Sequence, residues 1–467
     1  MMNPEHLILP PLAIRNLRQK VLGAALGGIL LGCSLSCGSS GSGTPVPPGQ
    51  NQPTVPSAPT NLAANPGDAQ VALTWSASAG AASYHVKRAA TAGGPYTEVA
   101  APTTASCTNT GLSNGTTYYY VVTASNSAGE SGNSSEVSAK PAPAQLGTWE
   151  NVTPAAISLP TSDFGAQDML ADPIHVGTFY AFVCHQGVWK SVDWGSNWIK
   201  VSTDGNLERG KPWGEAIAPD GSYLLAGNGE VNAGAWRSTD GGATWSAHAM
   251  GDGDDPYSFD IDPTNKIHVI ASMHGSESIF ESKDGGLTWS NQGPSGTGVS
   301  NYVFFITSTT WLSVAQSGGP GTFRSTDSGA HWTKVGGMVH AHGNSQIFID
   351  PDHNAVYVGD HDNGGGIYRS TNAGATFQAV ATGRPSSTIF ATATHIYSMD
   401  PGANALGTPP SLQIATRSLG TDWVFSDTPA AMNNGAKRAA VAYNATSGHW
   451  SILSCNWNAG FWRYVEP

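Results

Sequence analysis

A chain of 467 residues, 39% of them hydrophobic, can bury a sizeable core, and its length calls for two or three domains. Only 12% of residues are charged while 57 are glycine and 15 are tryptophan, a composition of short strands and tight turns that excludes a mainly helical chain and predicts an all-β one. The net charge of −12, with no Lys/Arg-rich stripe, excludes nucleic acid as a partner, because neutralising phosphates needs a basic surface.

At the N-terminus, Arg15, Arg18 and Lys20 precede an apolar run from Val21 to Leu31 that is short for a membrane span and ends in small residues, the pattern of an export signal. Leu30-Leu31-Gly32-Cys33 resembles a bacterial lipobox. That resemblance implies removal of residues 1–32 and a lipid anchor on Cys33. Ser34 lacks the aspartate associated with inner-membrane retention, so the implied membrane is the outer one. An ordinary secretory signal is the alternative, and both take the protein out of the cytoplasm. Residues 33–55, rich in Ser, Gly and Pro, read as a tether.

From residue 56 to 143 the pattern becomes alternating strands, including VALTW ending at Trp75 and TTYYYVVTASN around Tyr118. Trp75, Leu112 and Tyr118 resemble the core tryptophan and tyrosine corner of a fibronectin type III domain, a spacer module by that resemblance.

Beyond Gly147 one phrase recurs: GVWKSVDWGSNW from Gly187, GAWRSTDGGATW from Gly234, SIFESKDGGLTW from Ser278, GTFRSTDSGAHW from Gly321 and GIYRSTNAGATF from Gly366. The phrases resemble the Asp box of sialidase-like β-propellers, and their spacing of 43 to 47 residues suits a four-stranded blade. A degraded copy around Ser418 and the strand GFWRY from Gly460 bring the expected number to seven, over residues 147–467. The segment Thr148 to Pro154 resembles the strands that follow each box and is expected to complete the seventh blade, pairing two otherwise open edges. Asp193, Asp240, Asp284 and Asp327 are read as turn devices whose carboxylates accept backbone N–H groups, and Arg237, Arg324 and Arg369 before the boxes as structural too. Cys184 and Cys455 fall at equivalent positions in neighbouring blades, where a bridge depends on their Cα separation; two buried thiols are the expected state.

In propellers of this kind the ligand funnel is lined by loops entering each innermost strand and loops leaving each second strand. Counting from the boxes, the leaving loops carry His185, Asn228, His274, Gln316, His361 and Trp457. The entering loops carry Asp163, Gln167, Arg209, Lys211, Trp213, Asp255, Tyr257, Tyr302, His340, His342, Arg384, Lys437 and Arg438. An acidic chain has thus gathered imidazole and basic groups at one face, which suits an anionic ligand.

The Arg-Ile-Pro motif that precedes the first box of sialidases is replaced by SDFGAQDMLADP, so sialidase activity is not expected. The segments DFGAQDM, YAFVCHQGVWKSVDWG and GKPWGEAIAPDGSYLLAG resemble secreted propellers related to rhamnose–glucuronate lyases. Such a lyase removes the C5 proton of a uronate with a base, neutralises its carboxylate with a cation and protonates the leaving oxygen. His185, His274 and Tyr257 are the expected catalytic groups. Gln167, Arg209, Lys211, Trp213, Asn228, His361, Arg384, Arg438 and Trp457 are expected to bind an acidic polysaccharide or oligosaccharide. A glycoside hydrolase using a pair among Asp163, Glu215, Asp255 and Glu277 is the second reading, and a non-catalytic glycan- or protein-binding propeller the third. No particular cofactor is called for by a motif, and a divalent metal at the propeller axis stays open: His340 and His342, with His185, His274 and His361, could converge on it only there. The expected state is a monomer.

Overall fold

The computed structural model describes residues 53–467 apart from 161–163, 204, 206, 230–233, 252–254, 275, 295–300, 316–320, 337–345, 361–364, 400–409 and 435–437. Cys33, Asp163, Gln316, His340, His342, His361 and Lys437 lie outside the described residues. No helix among those described is long and apolar enough to cross a membrane.

The first domain is a sandwich of two antiparallel sheets. Thr60–Gly67, Gln70–Ser76 and Ser106–Thr110 make one; Thr97–Ala100, Ser83–Ala89, Tyr118–Asn126 and Gly129–Glu130 make the other, with Val137–Ala139 also paired to Tyr118–Asn126. Alternate residues of a strand share a face, so Val71, Leu73 and Trp75 meet Tyr84, Val86, Tyr120 and Val122 in the core. The Trp75 and Tyr84 rings contact edge to face at 5.3 Å. The Tyr118 hydroxyl accepts the Ser113 N–H at 3.1 Å, fixing the loop that leads into its strand.

The remainder is a seven-bladed β-propeller. Each blade is a four-stranded antiparallel sheet, and the innermost strands are Ala166–Ala171, Lys211–Ile217, Pro256–Ile261, Asn301–Phe305, Phe348–Asp350, Thr388–Ala391 and Arg438–Asn444. The innermost strand of blade seven packs against that of blade one, which closes the ring. Apolar side chains fill the spaces between blades: Met169, Phe179 and Trp198 of blade one pack with Leu453 and Phe461 of blade seven, and Phe182 of blade one with Trp245 of blade two.

Blade seven borrows its outermost strand. Trp149–Asn151 pairs with Phe461–Val465 in the register Tyr464↔Trp149, Arg463↔Glu150, Trp462↔Asn151. A second clasp forms at the other end of the chain, where buried Glu466 accepts from His395 Nδ1 (2.6 Å), the Tyr397 hydroxyl (2.7 Å), and Thr392 (3.0 Å) and Thr394 (3.2 Å) Oγ1 in blade six.

The five boxes share one turn. In the second blade Ser238 Oγ donates to Asp240 Oδ1 at 2.8 Å, Gly242 N–H donates to Ser238 Oγ at 2.9 Å, and Thr244 N–H donates to Asp240 Oδ1 at 2.9 Å. The same bonds recur around Asp193, Asp284, Asp327 and Asn372. Partial burial works against ionisation of Asp284, yet hydroxyl and backbone donors led by Thr288 hold it down to about 2. Arg237 Nε donates to Gly285 O and Arg324 Nε to Ala373 O, each reaching the box turn of the following blade. Cys184 and Cys455 are wholly buried, with no disulfide between them.

Candidate functional site

Three consecutive innermost strands slip register at the same end. The irregularity falls at Gln167 in blade one, across Trp213 and Gly214 in blade two, and at Tyr257 in blade three. A bulged residue leaves the ladder and its side chain is re-aimed, which is why bulges collect at the rims of barrels beside functional sites. Gly214 tightens the arrangement, because a Cβ there would lie 2.7 Å from the Ser258 Cα; its absence lets blade two approach blade three.

The result is a belt of rings. Trp213 contacts Phe164 (5.0 Å between centroids), Tyr257 (5.8 Å) and His274 (6.5 Å), and Phe164 continues to Trp457 at 5.6 Å. His274 stacks on Tyr257 at 5.0 Å with 24° between planes, and Tyr302 lies 5.0 Å beyond Tyr257. The Lys211 ammonium sits 5.0 Å over the Phe164 ring. Trp457 is held in the left-handed region, φ 47°, by paired backbone bonds with Ala166, both 3.0 Å.

His274 is gripped twice by Asp255: its backbone N–H donates to the Asp255 carbonyl at 2.8 Å, and its Nδ1 meets Asp255 Oδ2 at 3.0 Å. A carboxylate on Nδ1 fixes the tautomer with the proton there and leaves Nε2 as the basic nitrogen. The imidazole is half exposed, so it can reach a ligand. Tyr302 behind the pair is fully enclosed, and burial, reinforced by the neighbouring Tyr257, pushes its phenol well above the ordinary value.

Other expected site residues are placed differently. His185 joins the rim from blade one, in the left-handed region with φ 55°, and its N–H donates to Gly210 O at 3.2 Å, two blades away from His274. Arg209 ends the short helix Leu207–Arg209 in the loop entering blade two. Asn228 is wholly buried in the second strand of blade two, and so is removed from the open surface. Gln167 is wholly buried too, and both its amide atoms lack a hydrogen-bond partner. An unpaired buried amide costs on the order of 1–3 kcal/mol, so Gln167 stands beside the belt with unspent bonding capacity.

Two cations depart from the expectation of a basic funnel. Arg384 turns to the outer side of blade six, where its Nη1 donates to Ser411 Oγ at 2.5 Å and its guanidinium lies 4.8 Å over the Phe425 ring. Arg438 turns inward from blade seven: its Nη1 donates to Glu215 O of blade two at 2.5 Å and lies 3.6 Å from Asp168 Oδ2 of blade one. Attraction to opposite charge and a cation–π contact outcompete solvent for the two guanidiniums.

Sequence reasoning missed Phe164, Asp168 and Asp260. The two aspartates carried a readable signal, a carboxylate inside the otherwise apolar runs QDML and SFDI. Protein encloses Asp260, although part of its surface remains accessible, and burial pushes its carboxyl up to about 7 against the pull of the Phe305 N–H and Arg438. Because the folded form keeps this proton to about pH 7 while the unfolded carboxyl releases it near 3.8, stability from this group is greatest below about pH 4 and falls as pH rises to about 7. Asp260→Asn is expected to remove that component, making the slope of unfolding free energy less negative by up to about 1.4 kcal/mol per pH unit in that window. Urea titrations across pH 4–8 measure it, and an unchanged slope would show that Asp260 ionises normally.

Among the described residues no three His, Cys, Asp or Glu side chains form a set able to hold a metal ion.

The fold and site therefore define a two-domain all-β protein, a sandwich followed by a seven-bladed propeller with an aromatic rim. Residues 57–140 match the family model of the fibronectin type III domain, and this module belongs to that family. A xyloglucanase of Paenibacillus sp. is 28% identical over 222 residues, 44% of this chain and 19% of that protein. An amylopullulanase of Thermoanaerobacterium saccharolyticum is 37% identical over 86 residues, 18% of this chain and 6% of that protein. The chain thus spans less than a fifth of either relative. Among solved structures, YCF48 from Cyanidioschyzon merolae is 15% identical, with 68% of this chain and 98% of that chain covered at a TM-score of 0.43.

Proposed function

We propose that this chain is an exported, lipid-anchored, monomeric Asp-box propeller that cleaves an acidic, uronate-bearing polysaccharide by β-elimination. The observation that carries the reading is the His274 imidazole, backed by Asp255 and stacked on Tyr257. The names of the two partial relatives, a xyloglucanase and an amylopullulanase, support polysaccharide as the ligand class. Trp213 and Trp457 offer faces on which sugar rings stack, since their C–H bonds meet the negative π-cloud.

In this mechanism Lys211 lies against the uronate carboxylate and withdraws charge from C5. His274 Nε2 takes the C5 proton, the electron pair forms the C4–C5 double bond, and the C4–O bond breaks. Tyr257 gives its hydroxyl proton to the departing oxygen, and solvent returns a proton to Tyr257 while His274 releases its own. The fibronectin module and the tether from Cys33 hold the propeller away from the outer membrane.

A second reading, glycoside hydrolysis, is favoured by Asp260, a carboxyl that burial holds up to about 7 as a general acid requires, within the field of Arg438, whose guanidinium also lies 3.6 Å from Asp168 Oδ2. Incubation with uronate-bearing polysaccharides separates the two. Elimination yields an unsaturated uronate absorbing in the ultraviolet; hydrolysis yields reducing ends without that absorbance. Reducing ends alone would reject the lyase, and the absence of both products would leave a binding propeller.

A further inference from the structure

The first box departs most sharply from the others at the position after its Asp. Its turn places Trp194 in the left-handed region at φ 54°, where the second to fifth boxes place Gly241, Gly285, Ser328 and Ala373. That conformation crowds a bulky side chain and suits glycine, so a tryptophan held there is a strained choice that the turn itself does not need. Its N–H donates to Gly177 O at 2.9 Å, and its ring lies so close to Gly177 that a Cβ there would stand 2.7 Å from it. The indole Nε1 is buried and has no hydrogen-bond partner.

Trp194 faces a cleft of about 550 Å³ between the fibronectin domain and the propeller. The rest of the wall mixes apolar surface, with Ala69 and Gly111, and hydrogen-bonding side chains: Gln70, Thr110 and Asn114 from the sandwich, and Asn444, Thr446 and Ser447 from blade seven. The two domains are stitched beside it by Gln70 Nε2, which donates to the Asp193 carbonyl at 3.3 Å. Asn114 is positioned by Asp68 Oδ1, which accepts its Nδ2 at 2.7 Å. One aromatic plate ringed by hydroxyls and carboxamides is the chemistry that recognises a sugar, whose ring stacks while its hydroxyls exchange hydrogen bonds. Among the described residues Asp68 is the only ionisable one on the wall, and its charge opposes an anion.

We propose that this interdomain cleft is a second carbohydrate site, separate from the aromatic rim, that takes an uncharged stretch of polysaccharide with Trp194 as its stacking platform. The strain at residue 194 is retained for the ligand, and the fibronectin module supplies half of a binding site as well as length. The proposal draws on the glycan reading of the chain only for its choice of probe.

Affinity electrophoresis of the full chain in gels containing xyloglucan or pullulan tests it. The native chain is expected to be retarded by at least one of the two polymers, and Trp194→Gly to weaken that retardation about tenfold, the contribution of one stacked ring. Trp194→Phe should keep part of it. Glycine suits this turn, but the Trp194 ring also packs against the blade-one core, so the unfolding midpoint is read for Trp194→Gly and for Trp194→Phe, which keeps most of that packing. His274→Ala should bind both polymers as the native chain does, which separates this site from the rim. Absence of retardation in the native chain, or native-like retardation of Trp194→Gly under conditions where it is folded, would each overturn the proposal. Formation of unsaturated product from short acidic oligosaccharides reads the rim alone and should not change in Trp194→Gly.

Discussion

His274→Ala is expected to lower kcat/KM for a uronate-bearing polysaccharide by about 10²–10⁴-fold, the usual contribution of a positioned general base, while the unfolding free energy stays within about 0.5 kcal/mol of the native value. The small stability effect follows from exposure: the imidazole is half exposed and stacks on the surface of Tyr257 rather than in a core. Asp255→Asn supplies the control, since an amide in place of the carboxylate no longer fixes the proton on Nδ1. It should reduce kcat more than it raises KM. Full activity of His274→Ala would remove it as base and return that role to His185.

The largest stability effect is expected from Glu466→Ala. The native carboxylate is buried and accepts from four groups of blade six, so its removal strands the Tyr397 hydroxyl and the Thr392 hydroxyl inside the protein. Deleting one partner of a buried charged network costs about 3–5 kcal/mol, and urea unfolding should register a loss near the lower end because His395 is partly exposed. Glu466→Gln keeps an acceptor and should recover about half. A loss under about 1 kcal/mol would show that the paired strand Trp149–Asn151 closes the ring unaided.

Much of the fold was legible because it rests on local, repeated patterns. The box phrases set the blade number, since Ser, Asp and Gly at fixed offsets satisfy one turn by themselves. The ring-closing strand was legible through its likeness to the strands that follow the boxes. At the site, counting from the boxes brought Trp213, Tyr257, His274 and Asp255 onto one rim, because strand and loop positions follow from register. The destinations of long side chains were not legible. Arg438 crosses from blade seven to blades one and two, and Arg384 turns outward to Phe425, choices settled by partners distant in sequence. Trp194 stands in the sequence as one letter of a box, and nothing in that letter signals the left-handed backbone it adopts.

The three slipped registers at Gln167, Trp213 and Tyr257 have a bearing on how such a protein changes over time. A residue that sits outside the ladder can be exchanged without disturbing strand pairing, because its neighbours on either side carry the register. Ligand preference is thereby uncoupled from the frame that supports it. A propeller built this way can acquire a new substrate by changing a few bulged letters, and libraries randomised at residues 167, 213 and 257 should stay folded far more often than libraries randomised at the adjoining paired positions 168, 215 and 258.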